Sequence, residues 1–253
     1  MRTWISIAET LHIVFPRRCM LCSRILTGAD SVVPGLCNSC LKHTFQARIH
    51  GDVCRVCGRP LISTSETCLY CREHDFEFEW NTSLFIYEEP VRTLIRMYKF
   101  HSQRQLAHLW AFLLNARLKQ LFSKNSSSCR SSSDPVIVPV PGRRSSVRKR
   151  GWDQVEVIGS ILRTRYHVHV AEMLARSGSR SQKELGYQKR ILNLRGNITL
   201  RKAFFGRGQD MPQHIVLLDD IFTTGATLNE CARVCKLHGA VHVDGLTIAK
   251  ALY

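Results

Sequence analysis

The sequence predicts an α/β protein, a mainly parallel sheet flanked by helices, preceded by a small N-terminal module that metal ions hold together. Three observations carry this expectation. Aliphatic runs alternate with helical patterns from residue 135 to the C-terminus, the arrangement of βα units and parallel pairing. The run Ile215-Val216-Leu217-Leu218 ends in two carboxylates and a turn rich in hydroxyls, as a buried strand does when it delivers a site at its carboxyl end. Eight of the eleven cysteines form four Cys-x2-Cys pairs within 53 residues near the N-terminus.

A chain of 253 residues has room for one such domain and a small module, and the division is expected between residues 1–80 and 81–253. No apolar stretch approaches the roughly 20 residues of a membrane helix. Trp4, Ile5, Ala8 and Leu11 follow helical spacing, but Glu9 and His12 interrupt the run and Phe15-Pro16 ends it. That pattern is a short amphipathic helix and not a signal peptide, so a cytoplasmic protein without membrane insertion is expected.

Disulfides do not explain eleven cysteines in such a protein. Each Cys-x2-Cys turn points two thiolates at one ion, and two such turns complete a closed tetrahedral site, which zinc favours. Two structural Zn²⁺ are expected, with Cys19, Cys22, Cys37 and Cys40 on one and Cys54, Cys57, Cys68 and Cys71 on the other. Interleaved pairing satisfies the same spacing. A redox reading uses one pair and leaves three unexplained. Cys57-Gly58 resembles a zinc knuckle, where glycine lets the backbone curl under the metal. His43, His50 and His74 are expected at the surface, and Cys231 and Cys235, one helical turn apart, in the core. Cys129 has no partner at ligand spacing.

Beyond the zinc module (about residues 16–75), Thr82 to Tyr87 alternates as a short strand. Pro90 opens a helical region to Phe122, with Leu94, Ile95, Tyr98, Leu106, Leu109, Leu113, Leu114 and Leu118 on its apolar face. Ser123 to Asp134 holds seven serines and reads as a surface loop. Pro135 to Val140 is a buried strand followed by the turn Pro141-Gly142-Arg143-Arg144. A helix from Asp153 to Thr164, a strand from His167 to Val170, the 215–221 strand with its helix Leu228 to His238, and a strand from Ala240 to Ile248 complete the alternation.

The turn after Asp219-Asp220 offers chemistry for an anion. Thr223, Thr224, Gly225, Ala226 and Thr227 open a helix, whose free N–H groups and positive dipole end suit a phosphate; an ordinary capped turn is the alternative. Asp219 and Asp220 repel phosphate and are expected to face ribose hydroxyls. Phosphate beside ribose hydroxyls describes phosphoribosyl pyrophosphate. Arg143 and Arg144 are expected to face its pyrophosphate, with Mg²⁺ arriving on the ligand. The basic stretch Ser145 to Trp152 lacks hydrophobic periodicity and is expected to be the mobile part that excludes water.

The formal charge of +16 is uneven. Residues 1–80 carry nine Lys/Arg against eight Asp/Glu, and residues 141–207 carry sixteen against four. A polyanion should therefore meet the second region. Charge alone does not separate nucleic acid, a phosphorylated substrate and a merely solvated face.

The run from Ile215 to Thr227 resembles the thirteen-residue binding motif of the type I phosphoribosyltransferases, and from Phe15-Pro16 onward the chain resembles the ComF family. The resemblance lies in the eight cysteines, Leu94-Ile95 leading to Lys99-Phe100, the Val-Pro-Val-Pro strand end, Arg150-Gly151-Trp152-Asp153-Gln154, then Gln182, Leu185, Arg190 and Asn193-Leu194-Arg195-Gly196, and the Asp-Asp-Ile-Phe-Thr-Thr-Gly-Ala-Thr motif. It implies a phosphoribosyltransferase type I fold behind a double zinc ribbon, and a part in DNA uptake by competent bacteria. On that reading Arg148, Lys149 and Arg150 track single-stranded DNA, and Trp152 and Tyr187 stack on bases; a competence helicase is the implied protein partner. Asp153 stands where the family has Asn, Asn197-Ile198 where it favours Ala-Phe, and Ser179 where Thr is common. The Arg-Gly-Trp-Asp-Gln block reads equally as catalytic or as a loop packed by Trp152 and capped at Asp153. An active phosphoribosyltransferase of nucleotide metabolism or salvage and a sensor without turnover are the alternatives. No acceptor pocket or catalytic residue is recognisable, so turnover stays open.

Overall fold

A computed structural model describes residues 17–27, 33, 35–62, 65–101, 103–123, 134–177, 196–205 and 210–252. The expected N-terminal helix, most of the serine-rich loop, Cys129, and the blocks from Gln182 to Arg195 with Tyr187 lie outside the described residues. The described strands are β1 (Asn81–Ile86), β2 (Val136–Pro139), β3 (Leu174–Arg176), β4 (Ile198–Leu200), β5 (His214–Phe222) and β6 (His242–Lys250). The described helices are α1 (Asn38–Gln46), α2 (Leu69–Arg72), α3 (Val91–Phe100), α4 (Leu106–Leu121), α5 (Arg144–Arg150), α6 (Gln154–Tyr166), α7 (Lys202–Phe205) and α8 (Ala226–Leu237). No described helix is long and apolar enough to cross a membrane.

Four strands form a parallel sheet in the order β1-β6-β5-β2, and β3 and β4 form a separate antiparallel hairpin. Side chains alternate across a strand, so β5 divides its apolar residues between two cores. Val216 and Leu218 join α3, α4 and α6 on one face, with Leu94, Tyr98, Trp110 and Ile158. Ile215 and Leu217 join α8 and the β3–β4 hairpin on the other, with Leu228, Cys231 and Leu174. The cysteine turns divide likewise: Cys19 and Cys37 pack into the first core, and Cys54, Cys57 and Cys68 into the second. Cys231 and Cys235 are fully buried, as their spacing suggested.

Three local expectations change. The helical region from Pro90 to Phe122 is two helices, because the five polar residues His101 to Gln105 leave no apolar face to continue. His167 to Val170 contributes only a parallel bridge, Ile137 to Val170, at the outer edge of β2. Pro139 is tolerated there because β2 is short and terminal in the sheet. The stretch Ser145 to Trp152 is not an irregular loop: Arg144–Arg150 is helical, closed by Gly151 at φ 78°. Periodicity missed α5 because one apolar residue, Val147, serves all seven positions.

Candidate functional site

A cleft of about 310 Å³ opens at the carboxyl ends of β2 and β5. Asp219, Asp220, Thr227, Arg143, Arg150, Arg176, Lys99 and Gln154 line it together with the Gly142 turn. Strand alternation sends the two carboxylates to opposite sides. Asp220, in register with Val216 and Leu218, turns toward the α3/α6 face. There Lys99 Nζ lies 2.8 Å from its Oδ2, and Gln154 Nε2 donates to the same oxygen at 2.7 Å. Tyr98 donates its hydroxyl to the Gln154 carbonyl at 2.7 Å, fixing the start of α6. Burial then pushes the Tyr98 phenol well above its usual range.

Asp219 turns the other way, toward the hairpin that carries Arg176. Burial and the adjacent Asp220 push its carboxyl up to about 8. Arg176 is half-buried, and burial together with neighbouring Arg143 lowers its guanidinium. Arg201 fixes the hairpin that supplies it, binding the Leu174 carbonyl at 2.9 Å, Glu172 at 3.2 Å, and Glu156 of α6.

The turn before α8 is held from behind. Gly225 has φ 81°, and a Cβ there would lie 2.7 Å from the Phe222 ring and 3.1 Å from Phe76. Glycine is therefore required by the protein's own packing, before any ligand is considered. The Thr224 hydroxyl accepts from the Ala226 N–H at 3.3 Å. Its carbonyl accepts from the Tyr70 hydroxyl at 3.2 Å, and the Thr223 carbonyl accepts from Lys250 Nζ at 3.2 Å.

The cysteines form two groups of four, Cys19/Cys22/Cys37/Cys40 and Cys54/Cys57/Cys68/Cys71, with ligand atoms in each within 4.8 Å of one another. This sequential grouping excludes the interleaved one. The Cys22–Cys37 and Cys57–Cys68 sulfurs are each 3.7 Å apart. A tetrahedron with metal–sulfur distances of about 2.3 Å has edges of about 3.8 Å, so both groups fit structural zinc. Gly58 has φ 70° and leaves no room for a Cβ, which would meet the Asn81 carbonyl oxygen at 2.6 Å. His43 and His50 are exposed, but His74 is half-buried and stacked on Tyr70 at 4.3 Å.

Residues 10–72 match the family described as double zinc ribbon domain. Competence protein F of Haemophilus influenzae is 25% identical over 94% of this chain and 98% of its own length. Competence protein ComFC of Bacillus subtilis is 25% identical over 88% of this chain and 85% of its own. DNA utilization protein YhgH of Escherichia coli K12 is 26% identical over 86% and 91%. Over most of its length the chain is similar to these competence and DNA-utilization proteins.

Its second region is an α/β fold, a parallel sheet between helices behind the zinc ribbon. A solved structure of the allosteric regulatory enzyme of purine biosynthesis overlaps 53% of this chain and 25% of its own chain, at 16% identity and a TM-score of 0.29. A likeness that low carries no argument.

The cleft gathers only part of what the sequence suggested. Arg143 lines it, but Arg144 is exposed at the first position of α5, outside the lining. Of the turn from Thr223 to Thr227, Thr227 alone lines it. Arg150 binds Gln154 and belongs to the cleft wall, whereas Arg148 and Lys149 are exposed on α5. Trp152 is 8% exposed, with its ring centroid 5.0 Å from Tyr98 and the Arg104 guanidinium 5.3 Å away, so no face is left to stack on a base. Asp153 resolves the block around it: Oδ1 accepts from Val155 N at 2.9 Å and Oδ2 from Gly142 N at 2.7 Å. Both oxygens accept, which Asp satisfies and an Asn does not. Sequence reasoning gave Lys99, Gln154 and Arg176 no role, and no local signal marks contacts spanning so much of the chain. A larger cleft of about 420 Å³ beside Arg48, Asn81 and Arg117 holds none of the expected site residues.

Proposed function

We propose that this protein serves DNA uptake in natural competence from the cytoplasm, holding phosphoribosyl pyrophosphate or a related ribose phosphate in its cleft and single-stranded DNA on its basic face. The observation that carries the reading is the cleft itself. It sets Asp219 and Thr227, from one strand–turn–helix unit, beside Arg143 and Arg176 at the carboxyl ends of parallel strands. In this reading Thr223 to Thr227 take the 5-phosphate and Asp219 takes the ribose diol. Arg143 and Arg176 take the pyrophosphate with its Mg²⁺, and Asp220 braces the site through Lys99 and Gln154. Relatives named for competence and DNA utilization, aligned over nearly the whole chain, support the DNA role. Residues 1–80 act as the zinc-holding unit and 81–253 as the ligand-binding unit. Exposed Arg144, Arg148 and Lys149 offer phosphate contacts, which carry little base information.

The test is a single-stranded DNA titration across salt concentrations, with and without phosphoribosyl pyrophosphate and Mg²⁺. Replacing Arg148 and Lys149 by Ser should lower the log–log salt slope by about 0.7 for each phosphate no longer neutralised. A full-length protein that binds no single strand overturns the DNA role. One that binds DNA but, by calorimetry, no ribose phosphate overturns the ligand. Ligand binding without DNA binding transfers the reading to a phosphoribosyltransferase of nucleotide metabolism.

A further inference from the structure

The second cysteine cluster is wired to the turn that precedes α8. Tyr70 stands between Cys68 and Cys71 on α2, and its hydroxyl donates to the Thr224 carbonyl at 3.2 Å. Lys250, the last residue of β6 and 3% exposed, donates to the Thr223 carbonyl at 3.2 Å. Its ammonium sits 4.1 Å from the centre of the Phe222 ring. Phe76 closes the third side, against Gly225 and 4.8 Å from Phe78. The first cluster packs into the core on the opposite face of the sheet.

These contacts have a directional consequence. In a trans peptide unit the C=O and the following N–H point opposite ways. Holding the Thr223 and Thr224 carbonyls toward the ribbon therefore aims the N–H groups of Thr224 and Gly225 away from it, as an anion-binding turn requires. The side chains that hold these two carbonyls come from the ribbon and from the strand end beneath it.

We infer that the second cysteine cluster, through Tyr70 and beside the carbonyl that Lys250 holds, sets the phosphate affinity of the Thr223–Thr227 turn, so that metal occupancy at Cys54, Cys57, Cys68 and Cys71 regulates ligand binding. This rests on the ribose-phosphate reading of the cleft. Tyr70 and Lys250 are positioning residues: they act on the ligand through the turn. The first cluster has no such role.

The test uses the full-length protein with both sites loaded with ¹¹³Cd, with Cys22→Ser assigning the first site's resonance. Ribose 5-phosphate should shift the resonance of the second site and leave the first in place. Tyr70→Phe keeps the ring and removes the hydroxyl. By calorimetry it should weaken ribose 5-phosphate by about two- to tenfold, the worth of one hydrogen bond. Inorganic pyrophosphate, read by the arginine side of the cleft, should bind Tyr70→Phe as it binds the original chain. A general loss of structure would weaken both ligands, and that result, or an unmoved second-site resonance on ligand binding, overturns the inference. If the unaltered protein binds no ribose 5-phosphate, the ligand reading itself has failed. Binding that ignores Tyr70→Phe sinks only the coupling.

Discussion

Replacing Lys99 by Met isolates the contact that most changes the reading of the acidic pair. Lys99 Nζ lies 2.8 Å from Asp220, with side chains 17% and 8% exposed. Met keeps most of the stem's volume, so the change removes chiefly the charge. Stranding one member of a buried pair costs about 3–5 kcal/mol, mostly from the uncompensated charge. Gln154 still donates to the same Asp220 oxygen at 2.7 Å, which places the expected loss near the lower end. At about 2–4 °C per kcal/mol for a protein of this size, a loss of about 3 kcal/mol lowers Tm by roughly 6–12 °C. The double variant Lys99→Met/Asp220→Asn removes both charges and keeps an oxygen for Gln154, so it should return to within about 1 kcal/mol of the original. Thermal and urea unfolding of the zinc-loaded protein at pH 7 measure both. If the single variant lost under 1 kcal/mol, or the double lost as much as the single, the pair would be solvated. Asp220 would then be free to meet a ribose diol directly, as the sequence suggests.

Asp219 gives a pH signature. Its carboxyl is pushed up to about 8, so the folded chain favours the protonated form. That contribution to stability is full below the ordinary carboxylate range and is lost as pH rises through about 8. Asp219→Asn should flatten the dependence of Tm on pH between 5 and 9 and be the more stable chain at pH 9; a parallel pair of curves contradicts this. Asp153→Asn sets an amide against one of two N–H donors and should cost about 1–2 kcal/mol in unfolding experiments. Gly225→Ala meets both a positive φ and the Phe222 ring, and should lose about 2–5 kcal/mol. Gly151→Ala, at φ 78° with open space around it, should lose only about 1–2 kcal/mol. Equal losses at the two glycines would show that the aromatic packing yields.

What the sequence made legible was local and repetitive. Four aliphatic residues announced β5, and the cysteine spacing announced both metal sites. The family blocks named Lys99-Phe100 and Gln154 without a role, because each acts across the fold on Asp220. The opposite orientation of Asp219 and Asp220 follows from strand periodicity alone, once the strand is known to continue to Phe222. Assigning both to the same hydroxyls overlooked that the expected 215–221 strand already contained them and so faced them apart. For Trp152 the sequence left two readings, stacking on bases or packing inward, and its contact with Tyr98, on another helix, decides for packing.

The two zinc ribbons are adjacent in sequence but serve opposite sides of one sheet. Cys37 and Leu36 pack with Phe85 and Trp110 under the helices α3 and α4, whereas Cys57 and Phe78 pack with Phe222 and Leu228 beside α8. Asn81 joins the second ribbon to the sheet at its first residue, taking its N–H to the Val56 carbonyl and its amide to the Cys57 carbonyl. An appendage tethered by a linker would leave both cores intact on metal loss. Here each metal site contributes cysteines to a different core, so each holds one face of the sheet. Only the second of those faces carries the turn before α8. Two metals in one short module thus have separable consequences, one for the packing of α3 and α4 and one for the geometry of the cleft.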